Sequence, residues 1–156
     1  MLPFYGSLFD RFHDLHHEIE QALNGLPPEA LDWKPGSEMN SVSVIIVHLT
    51  GAERFLVGDV IMQDPSNRNR EAEFRVVGMG KEDLIQRLTE TEAYIKAAFE
   101  KLSLADLEAE RTHPRHGNQV SVSWALLHAL EHAATHLGHI QLTVQMWQRR
   151  SVMEAG

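Results

Sequence analysis

Leu8, Phe12, Leu15, Ile19 and Leu23 recur at intervals of four, three, four and four residues, the spacing of one face of an α-helix. That period returns in four blocks and rules out most other folds. The first block closes at Asn24-Gly25 and Pro27-Pro28, where the chain must turn. The second runs through VIIVHLTGAERFLVGDVI to about Gln63, with Ser41 or Ser43 as its cap. The third opens near Lys81 and shows Leu84, Ile85, Leu88, Ile95 and Leu102 on its apolar face. The fourth, capped by Ser121 or Ser123, runs from about Trp124 to Arg149. Between them lie the turn-rich LDWKPGSEMN, the polar DPSNRNREAEF, expected to be a loop, and HPRHGNQ, broken by Pro114 and Gly117. No strand is predicted; the β-branched run SVSVII is short and continues into helical spacing. Four long amphipathic helices predict one all-α domain over residues 1–156, a four-helix bundle with antiparallel helices. The long connection between the second and third helices is expected to cross the bundle's end.

Composition narrows the partners. The formal net charge of -8 argues against nucleic acid, which demands clustered positive charge, and against an anionic membrane surface. The opening MLPFYGSLFD has no basic n-region and no long apolar run, so no signal peptide and a cytoplasmic location are expected. The absence of cysteine excludes disulfides, zinc–thiolate sites and a cysteine nucleophile. The unusual count is ten histidines, against six phenylalanines and three tryptophans.

Several of these histidines fall in EHAATHLGH, Glu131–His139, within what otherwise reads as buried helix. With His128 set at zero and about 100° per residue, His139 falls near 20°, His132 near 40° and His136 near 80°. All four share one face. The i, i+4 spacing of His132 and His136 lets two imidazoles point at one ion. Ala133 stands where a zincin carries its base glutamate, so this is not that motif. His48 lies on the side of the second helix marked by Val44, Ala52 and Phe55, and is expected to face into the bundle. A lone inward histidine is ordinarily a hydrogen-bonded core residue. One on each of two helices, one of them paired, points to three converging ligands for zinc, nickel, copper or iron(II), with a coordination position left open.

His128 and His139 share the ligand face, and the expected role for both is orienting a ligand or lining the pocket. His13 and His17 project off the first apolar stripe and are expected on the solvated surface, whereas His16 lies nearer the stripe and is expected at the border of the site. His113 and His116 flank Pro114 and are expected at a pocket mouth with Arg115. Arg68, Arg70 and Glu73 read first as a solvated charge run, with an anion-holding role as the sharper alternative. Glu53 and Glu131 are candidate bases by their place along the chain.

DWKPGSEMNSVSVIIVHLTGAERFL and WALLHALEHAATHLGHIQL resemble two segments of the DinB-like (YfiT-like) family of metal-dependent four-helix-bundle proteins. The first matches that family's tryptophan–proline turn, capping serine and helix-two histidine. The second matches its helix-four pattern of histidine, three residues, histidine, any residue, glycine, glutamine. The resemblance implies His48, His132 and His136 as a metal triad and places Gly138 on the family glycine. His139 departs from the pattern's glutamine. It further implies a homodimer and a divalent transition metal (zinc, nickel or iron). Characterised relatives include low-molecular-weight-thiol-dependent transferases, so the leading expectation is an S-transferase acting on electrophilic small molecules. Without a cysteine of its own, the chain would take its thiol from a cosubstrate such as bacillithiol, mycothiol or glutathione. A metal-dependent hydrolase and a non-catalytic metal- or ligand-binding bundle are the alternatives.

Overall fold

The computed structural model describes residues 1–153. Its bundle helices are α1 (Pro3–Ala22), α3 (Val42–Arg54), α5 (Lys81–Phe99) and α6 (Val122–Met153). Two short helices, α2 (Pro28–Asp32) and α4 (Arg70–Glu73), sit in the connections, and Phe55–Met62 extends α3 as a wider π-helical segment. The expected boundaries follow their local chemistry. Gly25, at φ 74°, takes the left-handed conformation that ends α1. Of each candidate serine pair the first acts as cap. Ser41 Oγ accepts from Val44 N at 3.3 Å and Ser121 Oγ from Trp124 N at 3.1 Å, while Ser43 donates to the Leu31 carbonyl instead.

α1 packs on α6 and α5, and α3 on the same two, so α1 and α3 occupy one diagonal of the bundle. Side-chain pairings give the directions. Tyr5 meets Phe99, His13 meets Glu92 and Asn24 meets Lys81, so α1 and α5 are antiparallel. Phe55 meets His113 just before α6, while His48 meets His132 and His136 further along it, so α3 and α6 are antiparallel too. The uniformly antiparallel arrangement does not hold, however. Thr50 meets Arg87 and Arg54 meets Tyr94, which makes α3 and α5 parallel neighbours. Two parallel neighbours cannot be joined by a tight turn. Residues 63–80 therefore run back along the bundle rather than across its end, and are tied down on the way. Arg54 binds Asp64 at 2.8 Å, Ser66 N donates to Asp59 at 3.1 Å, and Gly78 N donates to Asp32 at 2.6 Å.

The core contains the four apolar stripes. Leu8, Phe12 and Ile19 of α1 and Leu23 at its C-cap are buried, with Leu15 half-buried at the edge. Tyr5, Phe12 and Phe99 form an aromatic knot with ring centroids 5.6 and 6.2 Å apart. The chain also makes a small antiparallel hairpin that the sequence reading lacks. β1 (Glu110–Thr112) pairs with β2 (Gln119–Ser121), Arg111 opposite Val120. Three-residue strands are too short to show a readable alternation. The hairpin's tip is the expected HPRHGNQ loop, closed by His113 N donating to the Asn118 carbonyl at 2.8 Å.

Candidate metal centre

His48 emerges from the middle of α3 and is 8% exposed. Its Nδ1 lies 2.9 Å from Glu73 Oε2. An ionised carboxylate only accepts, so Nδ1 carries the proton and Nε2 presents a lone pair. Arg68 secures the carboxylate from the other side, donating through Nε to Oε1 and through Nη2 to Oε2. The carboxyl of Glu73 is thereby held below its ordinary range: burial would raise its pKa, but the hydrogen bonds from Arg68 and His48 outweigh it. Gly51 makes this approach possible, since a Cβ there would collide with the Glu73 carboxylate.

Two α6 histidines complete the cluster. His132 Nε2 lies 3.3 Å from His48 Nε2 and 3.2 Å from His136 Nε2. One ligand atom from each of the three residues falls within 4.8 Å of the others. Two nitrogens bound tetrahedrally to one ion at about 2.0–2.1 Å would stand about 3.3 Å apart. The donor set and its spacing therefore fit a divalent ion. Protonation fits as well. Burial first, then neighbouring imidazoles, pushes His132 down to about 3 and His136 down to about 4. Both rings are neutral at physiological pH, the form that binds metal.

The cluster borders a cavity of about 750 Å3. Ala52, Phe55 and Leu56 give it an apolar wall, while Arg68, Arg70, His113, Arg115, His116 and His128 also line it. Within the run Arg68–Glu73 only Arg68 and Glu73, paired with each other, are thus withdrawn from water, while Arg70 and Glu71 stay exposed. Asn69 Oδ1 caps α4 by accepting from Ala72 N, and that turn brings Glu73 under His48. Arg70 lies over the Phe74 ring at 4.9 Å, and Phe74 in turn packs on His48. His113 sits against Phe55 and His116; burial and the His116 imidazole lower its pKa.

The remaining histidines separate into distinct places. His128 lines the cavity and stacks on Trp124 at 5.0 Å. His139 is exposed, its Nδ1 3.4 Å from Nδ1 of His136. His16 and Glu53 are not among the cavity's lining residues. They bind each other in the core, Nε2 to Oε2 at 2.9 Å, because each is nearly inaccessible to water and needs the other's polarity. His13 is exposed and pairs with Glu92 at 3.0 Å. Glu73, expected in a solvated or anion-holding charge run, instead binds His48, a role its sequence context did not show. Its only local signal was an asparagine cap followed by REAE inside the polar connection.

These features define a class: a helical bundle in which a middle helix and the last helix converge histidines beside one cavity. The chain belongs to the DinB superfamily, whose sequence model matches residues 11–140. Among curated proteins none matches it. Solved structures share the fold, three of them as follows. A DinB-like protein from Bacillus subtilis is 16% identical, with a TM-score of 0.70 over 91% of this chain and 92% of that one. A conserved protein from Enterococcus faecalis is 14% identical, with a TM-score of 0.75 over 94% and 98%. YfiT from Bacillus subtilis, described as a probable metal-dependent hydrolase with an unusual four-helix bundle topology, is 14% identical, with a TM-score of 0.74 over 95% and 90%.

Proposed function

We propose that this chain is a divalent-metal-dependent enzyme for small molecules, with His48, His132 and His136 as its ligands. We infer further that it transfers an external thiol onto an electrophilic substrate. The observation that carries the reading is the approach of three imidazoles beside a cavity that Arg70 and Arg115 also line. Zinc, nickel or iron(II) suits the all-nitrogen donor set. Such an ion supplies positive charge that favours the thiolate form of a bound thiol. The protein's own groups supply the rest. Glu73 and Arg68 fix the tautomer and the direction of His48. Arg70 and Arg115 have no carboxylate within ion-pair reach among the described residues, and they offer charge to an anionic cosubstrate in a chain whose overall charge of -8 would repel one. Ala52, Phe55 and Leu56 give the cavity an apolar wall, and Trp124 stacks on His128. With no cysteine in the chain, the nucleophilic sulfur must come from outside.

A second reading, hydrolysis, is favoured by the likeness to YfiT. Of the two carboxylates considered as its base, Glu53 is sequestered on His16 and Glu131 points to solvent, 77% exposed. His113 or His128 would have to serve. The test is elemental analysis of protein purified without a polyhistidine tag, for wild type, His48→Ala, His132→Ala and His136→Ala. It is followed by incubation of the metal-loaded protein with bacillithiol, mycothiol, glutathione or coenzyme A and a chromogenic electrophile. Full metal occupancy in the His132→Ala and His136→Ala variants would overturn the ligand set. Equal rates for wild type and His48→Ala with every thiol would overturn the transferase. Metal-dependent ester cleavage without any thiol would put the hydrolase first.

A further inference from the structure

A second cavity of about 480 Å3 lies between α3, α5 and the returning segment 63–80. Three arginines line it. Arg54 is neutralised by Asp64 at 2.8 Å, and Arg68 is held by Glu73. Arg87 has no carboxylate within ion-pair reach among the described residues. Its Nη2 makes one long contact to Thr50 Oγ1 at 3.4 Å, and its Nε is buried without a hydrogen-bond partner. Ser66 Oγ, on the same cavity, is also buried and unpartnered. Glu90, at the rim, is exposed and occupied by Gln86 at 2.8 Å. Leaving a half-buried guanidinium without a counter-charge is costly. A chain of net charge -8 has carboxylates to spare for it. The cavity's other walls include Val47, Ala72 and Val76, which are apolar.

We propose that this cavity binds a small carboxylic acid with an apolar body. Its carboxylate lies on the Arg87 fork, in the cavity that Ser66 also lines. The volume falls within the range of about 300–1,000 Å3 usual for small-ligand sites. The anchoring groups Arg87 and Ser66 are separate from the proposed metal ligands, although Arg68 and Glu73, which also line this cavity, hold His48.

Benzoate is a suitable probe, titrated calorimetrically into wild type, Arg87→Gln, Arg87→Lys and, as a control in the other cavity, Arg70→Gln. Inorganic phosphate serves as a head group without the body. Saturable one-to-one binding of benzoate is expected, weakened about tenfold or more in Arg87→Gln. Arg87→Lys should retain part of the affinity, and Arg70→Gln all of it. Phosphate should bind more weakly than benzoate. The methyl resonances of Val47 and Val76 should shift when benzoate is added to wild type, a readout that requires no variant to fold. Absence of saturable binding, unshifted valine methyls, equal affinity in Arg87→Gln or loss confined to Arg70→Gln would each overturn the proposal. Phosphate binding more tightly than benzoate would overturn the apolar body.

Discussion

Glu73 shows how one side chain can organise a site it does not enter. Its carboxylate takes the proton-bearing nitrogen of His48 and is itself clamped by Arg68. Glu73→Gln keeps the shape but removes the charge, leaving Arg68 without its partner and the His48 tautomer weakly specified. Metal affinity is expected to fall about 10–100-fold, as for other carboxylates that hold a ligand histidine. Competition with a chromophoric chelator measures this, and unchanged affinity would deny Glu73 the role. The buried His16–Glu53 pair makes a different residue-scale prediction. Burial alone would lower the pKa of His16, but Glu53, with Glu92 and Glu20, raises it above its ordinary value. A raised folded-state pKa stabilises fully below the unfolded value of about 6.5 and is lost as pH climbs through the folded value. The stability gap between wild type and His16→Gln should therefore be wider at pH 6 than at pH 9. Urea midpoints at the two pH values decide it; a gap that widens with pH would contradict the assignment. The triad residues were legible one by one because helical spacing puts them on inward faces. Glu73 was not, since its only local mark was a polar run that ordinarily stays in water.

At the scale of elements, the returning segment 63–80 brings α4 against α3, and Gly51 is the point of contact. Alanine at a helix interior ordinarily stabilises by about 1 kcal/mol relative to glycine. Here the added Cβ would collide with the Glu73 carboxylate and crowd Arg68, so the segment must shift. Gly51→Ala is expected to lower the urea midpoint of metal-free protein and to weaken metal binding together. A higher midpoint with full metal affinity would show that the contact is loose. Gly58 has a parallel role in the π-helical extension, where the Arg54 guanidinium occupies the place of its missing side chain. Helix starts were readable from the capping serines because a cap is a local interaction. The hairpin and the π-helical segment were not, since both answer to what packs on them rather than to their own period.

Across the whole molecule, the aromatic knot of Tyr5, Phe12 and Phe99 joins the start of α1 to the end of α5. Phe99 is fully buried, and Phe99→Ala should cost about 3–5 kcal/mol in urea denaturation. A loss under about 1 kcal/mol would mean that this end of the bundle tolerates repacking. No helix among the described residues is long and apolar enough to cross a membrane. The sequence by itself determined four amphipathic helices, the serine caps of two of them and the inward faces carrying His48, His132 and His136. Each of these follows from spacing along one chain segment and from hydrogen bonds within a turn. Tertiary structure alone decided that α3 and α5 run parallel, because direction depends on which faces meet across the core. That choice forces the connection to travel back along the bundle, and the journey delivers Glu73 and Arg68 to His48. The core also sequesters His16 on Glu53, a pairing across the diagonal between α1 and α3 that no local pattern could encode.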